Sequence, residues 1–147
     1  MLLFRFYLGT EPYAISSDEI TEILPLVTLK TIPHAPAYLT GIFNYRGILT
    51  PVLDLRQLIF SQPCEAYLST RILIFHYQHH PVGLLAEQVT DTLNEQQIQW
   101  HDLTLQIKSS PYLGPLLTDA SGTMIQSLRL SALISEDIAD SLFNLAV

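Results

Sequence analysis

The sequence predicts a mainly β protein in which two similar small β units pack as a single domain. Three observations carry that expectation. The chain repeats itself at a fixed offset, its apolar runs are short and bounded by turn residues, and its composition is apolar and poor in charge. Many short strands with turn signals at about 8–12-residue spacing favour small barrels or a sandwich.

The repeat is read directly. Pro12 to Leu24 matches Pro81 to Leu93 without a gap, with proline, branched apolar, acidic, threonine and leucine residues at corresponding places. An aromatic, strand-like run precedes each copy, Leu3 to Leu8 and then Ile72 to Tyr77. A second matched pair follows in the same order, Tyr38 to Ile59 and Tyr112 to Ile134. The copies are expected at about 1–62 and 69–135, intertwined within one domain spanning 1–147, with a terminal helix over 135–147. Each unit alone is too small to bury a comfortable core, so the two should press together.

Taken in order, residues 2–8 and 13–15 predict a hairpin about the Gly9–Pro12 turn. Ser16 and Glu19 have capping-box spacing, and Ile20, Ile23 and Leu24 then line one face of a short helix that Pro25 stops. Its counterpart, Glu87 to Leu93, lacks the serine cap and reads as either helix or strand. Residues 26–37 carry Pro33 and Pro36 and form a loop or an edge segment. Gly41–Phe43 and Ile48–Leu55 are strands joined by Asn44-Tyr45-Arg46-Gly47, where asparagine and glycine tolerate turn geometry. Residues 61–69 connect the copies, and 94–110 are polar and irregular. Asp119 to Gly122 makes another hairpin turn. Ser135 caps a terminal helix in which Ile138, Leu142 and Phe143 share a face.

Charge and cysteine content narrow the function. Hydrophobic residues make up 48% of the chain and charged residues only 14%, against about 25% charged in average chains. Seven basic residues face fourteen acidic ones, for a net charge of −7 with no basic run. That argues against nucleic-acid binding or an anionic-membrane patch. No apolar run approaches the ~20 residues of a membrane span, and no signal peptide opens the sequence, so a cytoplasmic location is expected. A single cysteine, Cys64, excludes an internal disulfide framework and a multi-cysteine zinc site.

Catalytic motifs are mostly absent. There is no phosphate-cradling glycine loop and no Gly-x-Ser-x-Gly elbow. His76, His79 and His80 form the one metal-like cluster and read first as polar residues of a hairpin tip. Cys64 reads as an incidental thiol, and Asp18 with Glu22 as a solvated face rather than an acid–base pair. What remains is a recognition surface around Arg46, presented at the tip of a glycine-bearing turn. Its guanidinium either forks onto a partner or pairs internally with an acid such as Asp54. No enzyme activity and no cofactor or metal are expected.

These residues resemble the CheW-like family of bacterial chemotaxis coupling proteins over about Leu3 to Ile134. The resemblance rests on Phe4-Arg5-Phe6-x-Leu8-Gly9-x-Glu11-x-Tyr13-Ala14-Ile15, on Ile32-Pro33 to Tyr38, and on Gly41-Ile42-Phe43-Asn44-Tyr45-Arg46-Gly47 followed by Pro51-Val52-Leu53-Asp54-Leu55. Arg71 to Ile74 and Val82 to Leu85 are similar to the family's second half. Departures are Tyr45 in place of an aliphatic residue, Ala86-Glu87-Gln88-Val89 in place of an apolar-Asp-x-Val pattern, and Gln126 to Leu130.

The resemblance implies two five-stranded SH3-like β subdomains with a few short helices. It implies a non-enzymatic adaptor between the cytoplasmic tip of methyl-accepting chemoreceptors and the regulatory domain of the histidine kinase CheA. A twitching-motility or other chemosensory array, or a decoy binding one partner only, remains open as an alternative. Carried onto this chain, the receptor groove takes Ile20, Glu22, Gly41, Asn44, Arg46 and Gly47 from the first half. It takes Ile72, Val89, Asp91 and Thr92 from the second. Ile20, Gly41 and Ile72 would supply an apolar trough, and Glu22, Arg46 and Asp91 its polar rim.

Overall fold

The computed structural model describes residues 2–64 and 70–143. The first hairpin pairs β1 (Leu2–Leu8) with β2 (Glu11–Ser16), and β3 (Glu22–Pro25) follows a single 3-10 turn. A second hairpin, β4 (Leu39–Tyr45) and β5 (Ile48–Asp54), runs into helix α1 (Leu55–Phe60). The pattern then recurs. β6 (Arg71–Tyr77) and β7 (His80–Asn94) form a hairpin, a short β8 (Ile98–Trp100) follows, and β9 (Leu113–Asp119) pairs with β10 (Met124–Leu128). Helix α2 (Glu136–Phe143) follows β10.

The strands make two sheets. One has the order β8-β9-β10-β2-β1-β7 and the other β3-β6-β7-β5-β4. β7 belongs to both: its first part pairs with β5 and β6, and its second part with β1. The sheets therefore do not follow the sequence halves. The first half's β3, β4 and β5 lie with β6 and the start of β7, while the second half's β9 and β10 lie with β1 and β2. The second sheet curls into a ring. Lys30 and Ile42 exchange both backbone hydrogen bonds, at 2.8 and 2.9 Å, joining the chain beyond β3 to β4.

This arrangement explains why the strand sequences are continuous apolar runs rather than alternating ones. In β6, Leu73 and Phe75 face a core shared between the sheets, while Ile72 and Ile74 face the inside of the second sheet. In β2, Tyr13 and Ile15 enter the shared core and Ala14 enters the first sheet's own core with Leu3, Leu93, Leu117 and Ile125. Strands buried on both faces read apolar throughout. Each fully buried leucine or isoleucine contributes roughly 1.5–3 kcal/mol.

Three local expectations need correction. The predicted helix after Ser16 is one 3-10 turn, Ser17–Glu19, followed by a strand. The Ser16 hydroxyl accepts from the Asp18 amide, and the Glu19 carboxylate accepts from the distant Leu130 amide at 3.0 Å, so no capping box closes. Ile23 and Leu24 instead pair with Leu73 and Ile72. The strand expected to run to Leu55 stops at Asp54, whose carboxylate caps α1 by accepting from the Gln57 amide. The region 94–110 is not wholly irregular, because Asn94 and Gln97 close a capping box that leads into β8.

Glu87–Leu93, open between helix and strand, is strand. The connector's residues 65–69 and the end of the terminal helix, 144–147, lie outside the described residues. Ser135 caps α2 as expected, accepting from the Ile138 amide at 3.2 Å. The helix packs Ile138, Ala139, Leu142 and Phe143 on the shared core, with Phe143 stacked on His80 and Tyr77.

The Asp119 turn makes stability depend on pH. The carboxyl is held below its ordinary value by the Ser121 hydroxyl, aided by the Thr123 and Ser121 amides and by Arg5. A carboxyl depressed in the folded state stabilises it above the unfolded value of about 3.8, and that contribution is lost as pH falls through the folded value. Acid melts of the protein and of Asp119→Asn are expected to converge below that range and to separate above pH 5, with the native protein the more stable.

Candidate functional site

The turn after β4 is a two-residue hairpin with Arg46 at φ +52° and Gly47 at φ +88°. Positive φ at both central residues matches the twist of the flanking strands. The Asn44 side chain accepts from the Gly47 amide at 2.7 Å and holds the turn closed. Arg46 is thereby lifted into solvent, 71% of its side chain exposed.

Three side chains meet at this corner. Glu22 on β3 accepts from the Tyr45 hydroxyl at 2.7 Å and from the Arg46 guanidinium at 2.6 Å, both at Oε1. The guanidinium also lies 5.3 Å from the centre of the Tyr45 ring. With the guanidinium in solvent, such a contact contributes about 0.5–1 kcal/mol. The Tyr45 ring itself is buried in the second sheet's core. Its hydroxyl is pushed above the ordinary phenol range by the hydrogen bond to Glu22 and by burial. Arg46 thus has an internal partner, and it is Glu22 rather than Asp54. Asp54 accepts from the Gln57 and Cys64 amides.

Glu22, Leu24, Val27, Phe43, Asn44 and Arg46 surround an open pocket of about 420 Å³. Its floor is apolar and its rim carries the acid, the amide and the guanidinium. Tyr45 was marked in the sequence only as a departure from pattern; in the structure it connects rim to core.

The remaining site residues scatter. Ile72 is wholly inaccessible, at 0% exposure inside the second sheet, so it lines no surface trough. Gly41 is buried too, and the space its side chain would take is filled by Leu29 Cβ and the Lys30 carbonyl, each 2.8 Å away. Its missing side chain admits this chain's own backbone, not a partner's. Ile20 and Val89 are half-buried against the shared core. Asp91 lies on the other sheet and pairs with Arg5, which also reaches Asp119. Thr92 is exposed beside Phe4 of β1.

The chemistry-bearing residues are likewise apart. His76 shares a hydrogen bond with Thr21 at 3.0 Å, His80 stacks on Phe143, and His79 sits in the turn at φ +70°. Among the described residues, no group of three His, Cys, Asp or Glu side chains is placed to hold a metal ion. The Cys64 thiol contacts the Leu85 carbonyl and is pushed well up by burial and by Asp54, which suppresses the nucleophilic thiolate.

A second, apolar surface lies on the same hairpin. Ile48 and Leu49, at the tip of the β4–β5 hairpin, are exposed. They adjoin an apolar cavity of about 400 Å³ bordered by Ile32, Pro51, Leu142 and Phe143. Two apolar residues directly after the Arg46-Gly47 turn were the signal in the sequence, because a hairpin tip cannot bury both.

Two packed β sheets thus present a braced polar corner and an exposed apolar hairpin tip, features of a recognition surface. The profile described as the CheW-like domain matches residues 2–137. A probable chemotaxis protein CheW of Rhizobium etli is 28% identical over 137 residues, covering 91% of this chain and 87% of that protein. The chemotaxis protein CheW of Bacillus subtilis is 31% identical over 96 residues, 64% of this chain and 62% of that protein. The scaffolding protein TtCheW of Thermoanaerobacter tengcongensis has the same fold, with a TM-score of 0.75 at 22% identity over 93% of this chain and 89% of that one. The chain belongs to the CheW-like family of chemotaxis coupling proteins. Among the described residues, no helix is long and apolar enough to cross a membrane.

Proposed function

We propose that the protein is a cytoplasmic adaptor coupling methyl-accepting chemoreceptors to the regulatory domain of a CheA-type histidine kinase. The observation that carries this reading is the Glu22–Tyr45–Arg46 corner beside an apolar pocket. A receptor tip is a helical hairpin, and a helix docks on an apolar floor with a polar rim. Leu24, Val27 and Phe43 provide the floor, while Glu22, Asn44 and Arg46 provide the rim. Ile20, Val89, Asp91 and Thr92 stay in the proposal as outer contacts; Ile72 and Gly41 support the surface from inside. The exposed Ile48 and Leu49 tip is the surface offered to the kinase domain. Two modest contacts of this kind gain strength by avidity in an array.

Calorimetric titration against a receptor-tip helical hairpin and a kinase regulatory domain tests the reading; folded protein that binds neither overturns it. Arg46→Ala is expected to leave the melt almost unchanged, because an exposed ion pair contributes about 0–1 kcal/mol. It is expected to weaken receptor-tip binding by roughly tenfold, the loss of one charge-assisted contact of about 1.4 kcal/mol. A collapsed melt would instead make Arg46 a purely structural residue.

A further inference from the structure

β7 is the strand the two sheets share, and it changes sheet at Glu87 and Gln88. Up to Ala86 it pairs with β6, and from Glu87 onward with β1. The handover is irregular. Gln88 has φ +48°, and the step from Arg5 to Tyr7 in β1 is matched by the longer step from Asp91 to Glu87 in β7. A bulge with a positive-φ glutamine bends a strand at a defined point.

A charge sits buried at that bend. The Glu87 side chain has no exposure. Its Oε1 accepts from the Gly9 amide at 2.8 Å, and its Oε2 lies 3.2 Å from the Arg56 guanidinium. Gly9 belongs to the β1–β2 turn of the first sheet. Arg56 stands in α1, which continues β5 of the second, and it also donates to Gln62 at 3.1 Å. One carboxylate therefore ties the turn of one sheet to the helix of the other across the bent strand.

We propose that the Arg56–Glu87–Gly9 contact is a clamp that fixes the angle between the two sheets. The shared apolar core holds the sheets together, but apolar contact is non-directional. A buried hydrogen-bonded ion pair is satisfied in one arrangement only, and such groups are best attested as devices of registry. The clamp selects one inter-sheet angle where the core alone permits a range. This holds whichever partners the surfaces bind.

Pulsed electron-spin distances test it on the full chain. Spin labels go on Leu49→Cys of the second sheet and Met124→Cys of the first, both exposed, in a Cys64→Ser background. The otherwise native protein is expected to give one narrow distance. Glu87→Gln, which keeps an acceptor for Gly9 but removes the charge, is expected to widen the distribution about twofold, as for a released hinge. Arg56→Met with Glu87→Leu fills the same space with apolar groups and is expected to stay folded with the same widening. An unchanged width in the folded double variant overturns the clamp. A broad or two-peaked distance before any change at Glu87 overturns it as well, so the outcome does not depend on Glu87→Gln folding.

Discussion

Gly41→Ala is expected to lower stability by about 3 kcal/mol, a fall in Tm of roughly 10 °C for a chain of this size. The added Cβ would stand 2.8 Å from the Lys30 carbonyl oxygen and 2.8 Å from Leu29 Cβ. The first of these is backbone, so no side-chain rotation relieves the contact. The same Lys30 segment exchanges the two hydrogen bonds with Ile42 that complete the second sheet's ring. Overpacking costs about 1–3 kcal/mol, and each strained backbone hydrogen bond adds about 1 kcal/mol. Thermal unfolding measures it. A shift below 2 °C would mean that residues 28–30 swing outward at little cost and that the ring does not depend on close approach at Gly41.

The second large effect belongs to Glu87→Ala. It leaves the Arg56 guanidinium without its counter-charge, with the neutral Gln62 side chain still bonded to it, and the Gly9 amide without that acceptor. Removing one member of a buried ion pair costs about 3–5 kcal/mol. The Arg56 side chain keeps 19% of its surface in water, which places the expectation near 3 kcal/mol. Against a typical total of 5–15 kcal/mol this is a large share. Urea unfolding should show a lower midpoint with an unchanged slope. Arg56→Met with Glu87→Leu should recover most of the loss, because the cost lies in the orphaned charge. A single variant as stable as the native protein would show that water reaches Arg56 freely.

The hairpins were legible because their determinants are local. Gly9, at φ +64°, and Asn44 to Gly47 carry turn chemistry that acts within four residues, although the first turn is only Gly9-Thr10 and β2 already includes Pro12; Ser135 caps α2 from directly before it. The segment after Ser16 was misread because its determinants are distant. Glu19 is claimed by Leu130, and Ile23 and Leu24 by β6, and neither partner is implied by local periodicity. Asp54 shows a different failure. The apolar run Ile48–Leu55 continues across Asp54 without a break, and only the Gln57 amide donating to its carboxylate marks the change from strand to helix. At the corner, the structure brings Glu22 together with the Asn44–Gly47 turn. Ile72 and Gly41 were placed on a surface although burial decides their role, and a linear pattern does not separate a strand with two inner faces from one with an apolar outer face. Tyr45 and Glu87, both departures from the family pattern, make structural contacts at the two polar nodes.

The two sequence halves exchange hairpins. The β4–β5 hairpin of one copy borders the β6–β7 hairpin of the other, and β9–β10 returns the exchange by bordering β1–β2. Either copy expressed by itself would carry two hairpins, each lacking its natural neighbour, and would gain both by trading arms with a twin. A gene encoding one sequence half is therefore expected to give an arm-exchanged homodimer, which light scattering on a sizing column would read; a folded monomer would show that a half satisfies its own strand edges.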